Sequence, residues 1–414
     1  MSNPIAARTE VTILNPNMAL NPNMAATFPP PVMEARRWLD GVTFPAERPL
    51  INVSQAAPID PPPLEMRQAM AECVLEDDGA HLYGPVLGLP QLRETIAETW
   101  THSYGGPVRA SQVAITSGCN QAFAATIATL AAPGDEVILP TPWYFNHKMW
   151  LDMGGITSVP LPTGLTLIPD AEHARALITQ RTKAISLVSP NNPGGVEYPA
   201  ATLRAFADLC RESGIALIID ETYRDFDSRT GAPHDLFTDP GWDDTVIQLY
   251  SFSKAYRLTG HRVGAMVASE ARLFEAEKFL DTVAICPNQL GQRAALWGMQ
   301  NLGNWLGEQR GEILARRDAI TNGFPKLASK GWELLGCGAY FAYVTHPFEM
   351  PSDRLAQDLV AEAGILCLPG TMFTPDDDPS GARALRIAFA NIDAAGIEEL
   401  FDRLAKVPFA VLPR

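Results

Sequence analysis

The stretch AISLVSPNNPGGVEYPAATLRAFADLCRESGIALIID, residues 184–220, decides the fold. It opens with a short apolar run, AISLV (184–188), and turns through SPNNPGG (189–195). A helix-length amphipathic segment follows, AATLRAFADLCRESG (200–214), and then a second apolar run, IALIID (215–220). Neither run alternates polar with apolar residues, so neither has a face meant for water. Continuous apolar strands separated by helices indicate a mainly parallel sheet covered on both sides.

The same texture extends outward. Further strands are expected at 112–116, 136–140, 156–160, 245–250 and 263–268, with helical patterns in several gaps. Together they predict an α/β fold with a seven-stranded, mainly parallel sheet. After about residue 305 the pattern changes. A long helix (307–320), strands at 332–335, 339–344 and 383–389, and helices at 352–363 and 393–406 read as a smaller α+β domain. Residues 33–58 join it, because Met33–Leu39 reads as a helix and the prolines near 58–63 read as a linker. The expected division is an N-terminal arm (1–32), a large domain (59–305) and a small domain (33–58 plus 306–414). In the arm, LNPNMA occurs at 14–19 and again at 20–25. Two six-residue copies cannot build a solenoid, and Asn-Pro steps favour extended chain.

Length and composition exclude other classes. At 414 residues the chain is long enough for two to three domains at roughly 150 residues each. The 32 basic and 47 acidic side chains give a net charge of −15, which counts against nucleic-acid or anionic-membrane binding. No apolar run reaches the roughly 18 residues of a membrane helix, and no secretory h-region opens the sequence. Six cysteines without a CxxC pair fit free thiols in a reducing cytoplasm better than a disulfide scaffold. No metal site is expected.

A doubly wound sheet carries its ligands where strands end, and four segments fall there. TSGCNQAF (116–123) runs from a strand straight into a helix, whose free N–H groups suit a phosphate; a plain cap reads equally from these residues. PTPWYFNHKMW (140–150) places aromatics at a strand end, for core packing or for stacking on a flat ring, and includes His147. In IIDETY (218–223), Asp220 ends an apolar strand, where an unpaired carboxylate is costly and calls for a cation; a cap for the next helix reads equally from these residues. YSFSKAYRLTGHRVG (250–264) offers Ser251, Ser253, Lys254 and Arg262; a buried lysine near other cations has a lowered pKa and suits Schiff-base chemistry, while these residues alone read first as a generic surface lysine.

In series, SPNNPGG, IIDETY and SFSKAYRLTGHRVG resemble the fold-type I pyridoxal 5′-phosphate (PLP) enzymes, specifically the class I/II aminotransferases, over about residues 50–410. The resemblance implies a PLP cofactor and transfer of an amino group from an L-amino acid to a 2-oxo acid in a ping-pong cycle. It implies Lys254 as the Schiff-base lysine and proton shuttle. Asp220 would pair with the ring nitrogen, and Asn192 and Tyr223 would bond the ring's phenolic oxygen. Tyr144 would stack on the ring, with His147 behind Asp220. Cys119, Asn120, Ser251 and Arg262 would hold the phosphate. Tyr83 would reach the phosphate of a partner subunit, hence a homodimer. Arg386, in ALRIAFA (384–390), would bind the substrate α-carboxylate, with Asn192 and Ala56 beside the substrate.

Three departures stand out from the family pattern. Ala56 replaces a glycine that approaches substrate, Gly194 replaces a threonine, and Cys119 occupies a phosphate-loop position usually held by a small residue or threonine. The stretch AICPNQLGQRAALWGM (284–299) offers no clear counterpart of the arginine that dicarboxylate-specific members use. Carbon–sulfur β-lyase or decarboxylase chemistry on the same fold is the alternative reading. A non-catalytic PLP-binding regulator fits less well, because the chain is acidic and lacks a helix-turn-helix pattern.

Overall fold

A computed structural model describes residues 20–412; the first LNPNMA copy and the arm before residue 20 lie outside the described residues. In chain order the strands are β1 (Ile51–Asn52), β2 (Val113–Thr116), β3 (Glu136–Thr141), β4 (Thr157–Pro162), β5 (Thr182–Val188), β6 (Ala216–Asp220), β7 (Val246–Ser251), β8 (Gly264–Val267), β9 (Glu333–Gly338), β10 (Phe341–Thr345), β11 (Ile365–Leu366), β12 (Leu368–Pro369) and β13 (Ala384–Ile387). The large sheet runs β2-β8-β7-β6-β5-β3-β4, with β8 antiparallel to both neighbours and the other adjacent pairs parallel. All seven expected strands are present, with ends shifted by one or two residues.

The apolar runs are explained by two cores. Successive residues of a strand face opposite ways. In β6, Leu217 and Ile219 enter one core, with Ile185 and Leu187 of β5, while Ala216 and Ile218 enter the other, with Ala184. Both faces are dry, so both sets are apolar. The 200–214 pattern forms the helix Ala200–Ser213. Leu203, Phe206, Ala207 and Cys210 are its buried stripe, and Gly214 ends it at φ +66°.

The C-terminal part builds a four-stranded antiparallel sheet, β12-β13-β10-β9. It is backed by the helices Gly303–Gly323, Ser352–Ala363 and Ala394–Leu404. Residue 51 returns to this part, since β1 pairs in parallel with β11. The helix expected at 33–39 lies at Pro31–Arg37, with proline at its first position.

Strand direction positions the site. β2, β3, β5, β6 and β7 all end on the same sheet edge. The antiparallel β8 begins there, so Arg262, just ahead of it, joins the residues that follow the other strands.

Candidate active site

A cavity of about 400 Å³ opens at that edge. Cys119, Asn120, Tyr144, Asn192, Asp220, Tyr223, Ser251, Lys254, Arg262, Arg386 and Ala56 all line it. Tyr83 does not; it is 80% exposed. His147 sits one layer behind. Its ring stacks on Phe123 at 3.8 Å, and its Nε2 stands 3.4 Å from Asp220 Oδ2.

At one end of the cavity is an anion cup. The helix Cys119–Ala128 starts at Gly118 (φ +86°) without a capping side chain, so its first amides are left for a ligand. Close backbone approach shapes the cup. A Cβ at Gly264 would stand 2.8 Å from the Gly118 carbonyl carbon and 2.9 Å from the Cys119 nitrogen, and a Cβ at Gly118 would collide with Arg262 Nη2. Arg262 itself adopts φ +50°, a left-handed conformation uncommon outside glycine. Its Nη1 donates to the Thr259 carbonyl at 2.9 Å.

Asp220, 3% exposed, lies on the cavity wall beside Cys119. Burial alone would raise its carboxyl pKa. His147 and the groups of Thr222, whose amide donates to Oδ1 at 3.0 Å, outweigh burial and hold it below the ordinary value. The carboxylate is therefore anionic and aimed at the cavity. Lys254 Nζ donates to the Ala56 carbonyl at 2.6 Å. Burial, then the charges of Arg262 and Arg386, push its pKa down to about 8. Tyr144 and Tyr223 are held protonated, their pKa values raised first by burial.

Arg386 comes from the other sheet, on β13. It is buried against the rings of Phe341 and Phe373, each about 5.0 Å from the guanidinium carbon. Its Nη1 donates to Asn192 Oδ1 at 3.0 Å and its Nη2 to the Ser54 carbonyl, while Nε is buried without a partner. Burial pushes its pKa down to about 10, so it stays cationic at neutral pH. A buried guanidinium with an unused N–H is a ready carboxylate fork.

The departures have local accounts. Gly194 does not line the cavity, and a Cβ there would stand 2.8 Å from Asn191 Oδ1, the acceptor of the Gly194 amide. Ala56 uses its carbonyl, which any residue supplies. Cys119 is buried beside Asp220, which together raise its thiol pKa, so the sulfur stays protonated. Arg293 pairs with Asp77 at 2.6 Å in the helix Gln289–Asn301 and does not line the cavity.

Sequence reasoning missed part of the wall. Val32, Met33 and Arg36 of the first-turn-proline helix line the cavity, as do Gln55, Phe145 and Thr222. Spacing of 32, 33 and 36 on one helical face was the available signal.

The uncapped amides, the glycine-lined approach, the anionic carboxylate and the low-pKa amine form one donor set. It fits a phosphorylated pyridine aldehyde, and so defines the class as a PLP enzyme of fold type I. Comparison narrows this further. The profile described as "Aminotransferase class I and II" matches residues 48–404. The aromatic aminotransferase ISS1 of Arabidopsis thaliana is 30% identical over 338 residues, 78% of this chain and 81% of that protein. The arginine–pyruvate transaminase AruH of Pseudomonas aeruginosa is 30% identical over 335 residues, with the same coverage. The structure of Thermus thermophilus aspartate aminotransferase with maleate superposes with a TM-score of 0.84 at 24% identity, covering 94% of this chain and 99% of that one. The chain belongs to the class I and II aminotransferases, and is a PLP-dependent transaminase.

Proposed function

We propose that the cavity carries out both halves of a ping-pong transamination, with each motif residue in the role its position suits. The observation that carries this is the single cavity joining Lys254, Asp220, the uncapped helix start at Cys119 and the buried fork of Arg386. PLP, when bound, supplies an electron sink for the charge left on Cα. Asp220 holds a proton on the ring nitrogen. The amides of Cys119 and Asn120, with Ser251 and Arg262, hold the phosphate. Tyr144 covers one face of the ring, and Asn192 and Tyr223 bond its phenolic oxygen. Arg386 binds the α-carboxylate and orients the Cα–H bond. Lys254 Nζ then moves the proton between Cα and C4′.

The test is a half-reaction. The holoprotein mixed with one amino acid and no acceptor is expected to yield one equivalent of 2-oxo acid per subunit and no ammonia. Ammonia with pyruvate would instead assign a β-lyase, and carbon dioxide a decarboxylase. In the same assay Arg386→Lys is expected to raise the KM for every amino acid, with kcat/KM down by roughly 10²-fold or more, because a point charge cannot replace the bidentate fork. An unchanged kcat/KM would remove Arg386 from the site.

The same reading makes the protein a homodimer, with Tyr83 reaching the phosphate of the neighbouring subunit. The exposure of Leu75 (83%), Leu82 and Tyr83 along one short stretch supports it. Sedimentation should give twice the mass of one chain, and a fully active monomer would refute the shared site. It keeps the division into an arm (1–32), a large domain (59–305) and a small domain (33–58 plus 306–414), supported by the β1–β11 pairing. It places the enzyme in the cytoplasm, where its six free cysteines stay reduced; cell fractionation checks this. Among the described residues no helix is long and apolar enough to cross a membrane.

A further inference from the structure

A second cavity, of about 630 Å³, shares no lining residue with the active-site cavity. It lies between the C-terminal end of the helix Pro90–Tyr104, the chain that follows β6 and the helix Gly303–Gly323. Its titratable lining includes Arg224, Arg229, Arg310 and His102, with Asp225 and Asp227 as its acids. One chain segment serves both cavities: Asp220, Thr222 and Tyr223 line the first, and Arg224 lines the second.

The acids near Arg224 are engaged elsewhere. Asp227 accepts from Arg229 Nε at 2.9 Å, and Asp225 from the Tyr250 hydroxyl at 2.7 Å. Glu221 accepts from the Tyr104 hydroxyl at 2.6 Å and from Gln248, with His234 Nε2 at 3.5 Å. Arg224 is held by rings instead. Its guanidinium carbon stands 4.1 Å from the centre of the Trp100 ring and 4.7 Å from that of Tyr104. Its Nη1 is buried without a hydrogen-bond partner. Arg310 is fixed by main-chain oxygens, Nε to the Asp227 carbonyl at 2.9 Å and Nη2 to the Arg229 carbonyl at 3.1 Å. Among the described residues no carboxylate lies within ion-pair distance of Arg224 or Arg310. The cavity therefore carries two cations that are fixed in place and lack an ionic partner.

We propose that this cavity is an anion site, distinct from the active site, that takes the phosphate group of a small phosphate ester. The assignment does not depend on the reaction proposed above. A phosphate group carries about −1.5 to −2 near neutral pH, which matches Arg224 and Arg310 together. Its oxygens accept charge-assisted bonds from guanidinium N–H groups. A single carboxylate brings about half that charge and must still meet Asp225 and Asp227. The volume also leaves room for the rest of an ester, since cavities of roughly 300–1,000 Å³ hold small-molecule ligands.

The experiment is a calorimetric titration of the holoprotein with inorganic phosphate, and with acetate as the carboxylate arm, while the cofactor's absorbance is followed. Wild type is expected to bind phosphate saturably, more tightly than acetate, and without a shift in that absorbance. Arg224→Met should weaken phosphate about tenfold or more, and Arg224→Lys should keep part of the affinity. Because Arg224 packs on two rings, its replacement could prevent folding, and Ala232→Glu is the second probe. Residue 232 is exposed on the cavity wall, so the new carboxylate should weaken phosphate without disturbing the core. Absence of saturable phosphate binding in wild type, unchanged phosphate affinity in the folded variants, or acetate binding as tight as phosphate overturns the assignment. Binding that shifts the cofactor's absorbance and survives Ala232→Glu also overturns it, by placing the anion in the active-site cavity.

Discussion

Lys254→Ala is expected to lower turnover by roughly 10⁴-fold, the upper range for loss of a positioned proton-transfer group. The variant should still fold and still retain PLP, because the phosphate contacts proposed for the cup do not involve residue 254. A small primary amine added to the medium should restore part of the rate, since it supplies the missing nitrogen base; activity within tenfold of wild type without added amine would sink the assignment. The wild-type amine also predicts a pH profile. An ordinary lysine loses its proton near 10.5, whereas burial with Arg262 and Arg386 brings Lys254 to about 8 in the apoprotein. The protonated amine cannot attack an aldehyde. The rate of PLP uptake by apoprotein should therefore fall as pH drops through about 8 and level off above it. A profile still climbing toward 10.5 would show that the amine is not perturbed in this way.

The second large effect is expected for Asp220→Asn. The amide keeps the shape and removes the charge. Removing one member of a buried charge pair costs about 3–5 kcal/mol. At 1.36 kcal/mol per decade that is roughly a 10²–10⁴-fold loss of rate. The loss should fall on kcat more than on KM, because the site proposed for the substrate carboxylate is elsewhere, at Arg386. His147→Gln should cost less, since Thr222 still donates to Asp220 at 3.0 Å. An Asp220→Asn enzyme within threefold of wild type would mean that the ring nitrogen does not depend on this acid.

The large sheet was legible because its interior strands are dry on both sides. In β5 and β6 successive residues enter opposite cores, and both cores demand apolar side chains. Direction was less legible: the apolar run of β8 gives no sign that it runs against its neighbours. The two-residue strands β1, β11 and β12 were invisible, as two residues carry no period. In the site, the residues directly after strand ends announced themselves by chemistry set against apolar context. Arg36 and Gln55 did not. An arginine on an amphipathic helix looks like any solvated charge, and only the packing of Ala35 and Val32 against the Phe145–Phe373 cluster turns this one toward the cavity.

The wiring of residues 54–56, whose oxygens take Arg386, Arg36 and Lys254 in turn, has a consequence for how such proteins drift apart. Two of its three anchors are main-chain oxygens, so these two connections do not themselves depend on which side chains stand at 54 and 56. Length is another matter. Deleting a single residue there would hand each cation its neighbour's anchor, so a one-residue gap should be far more damaging than any substitution that spares the backbone.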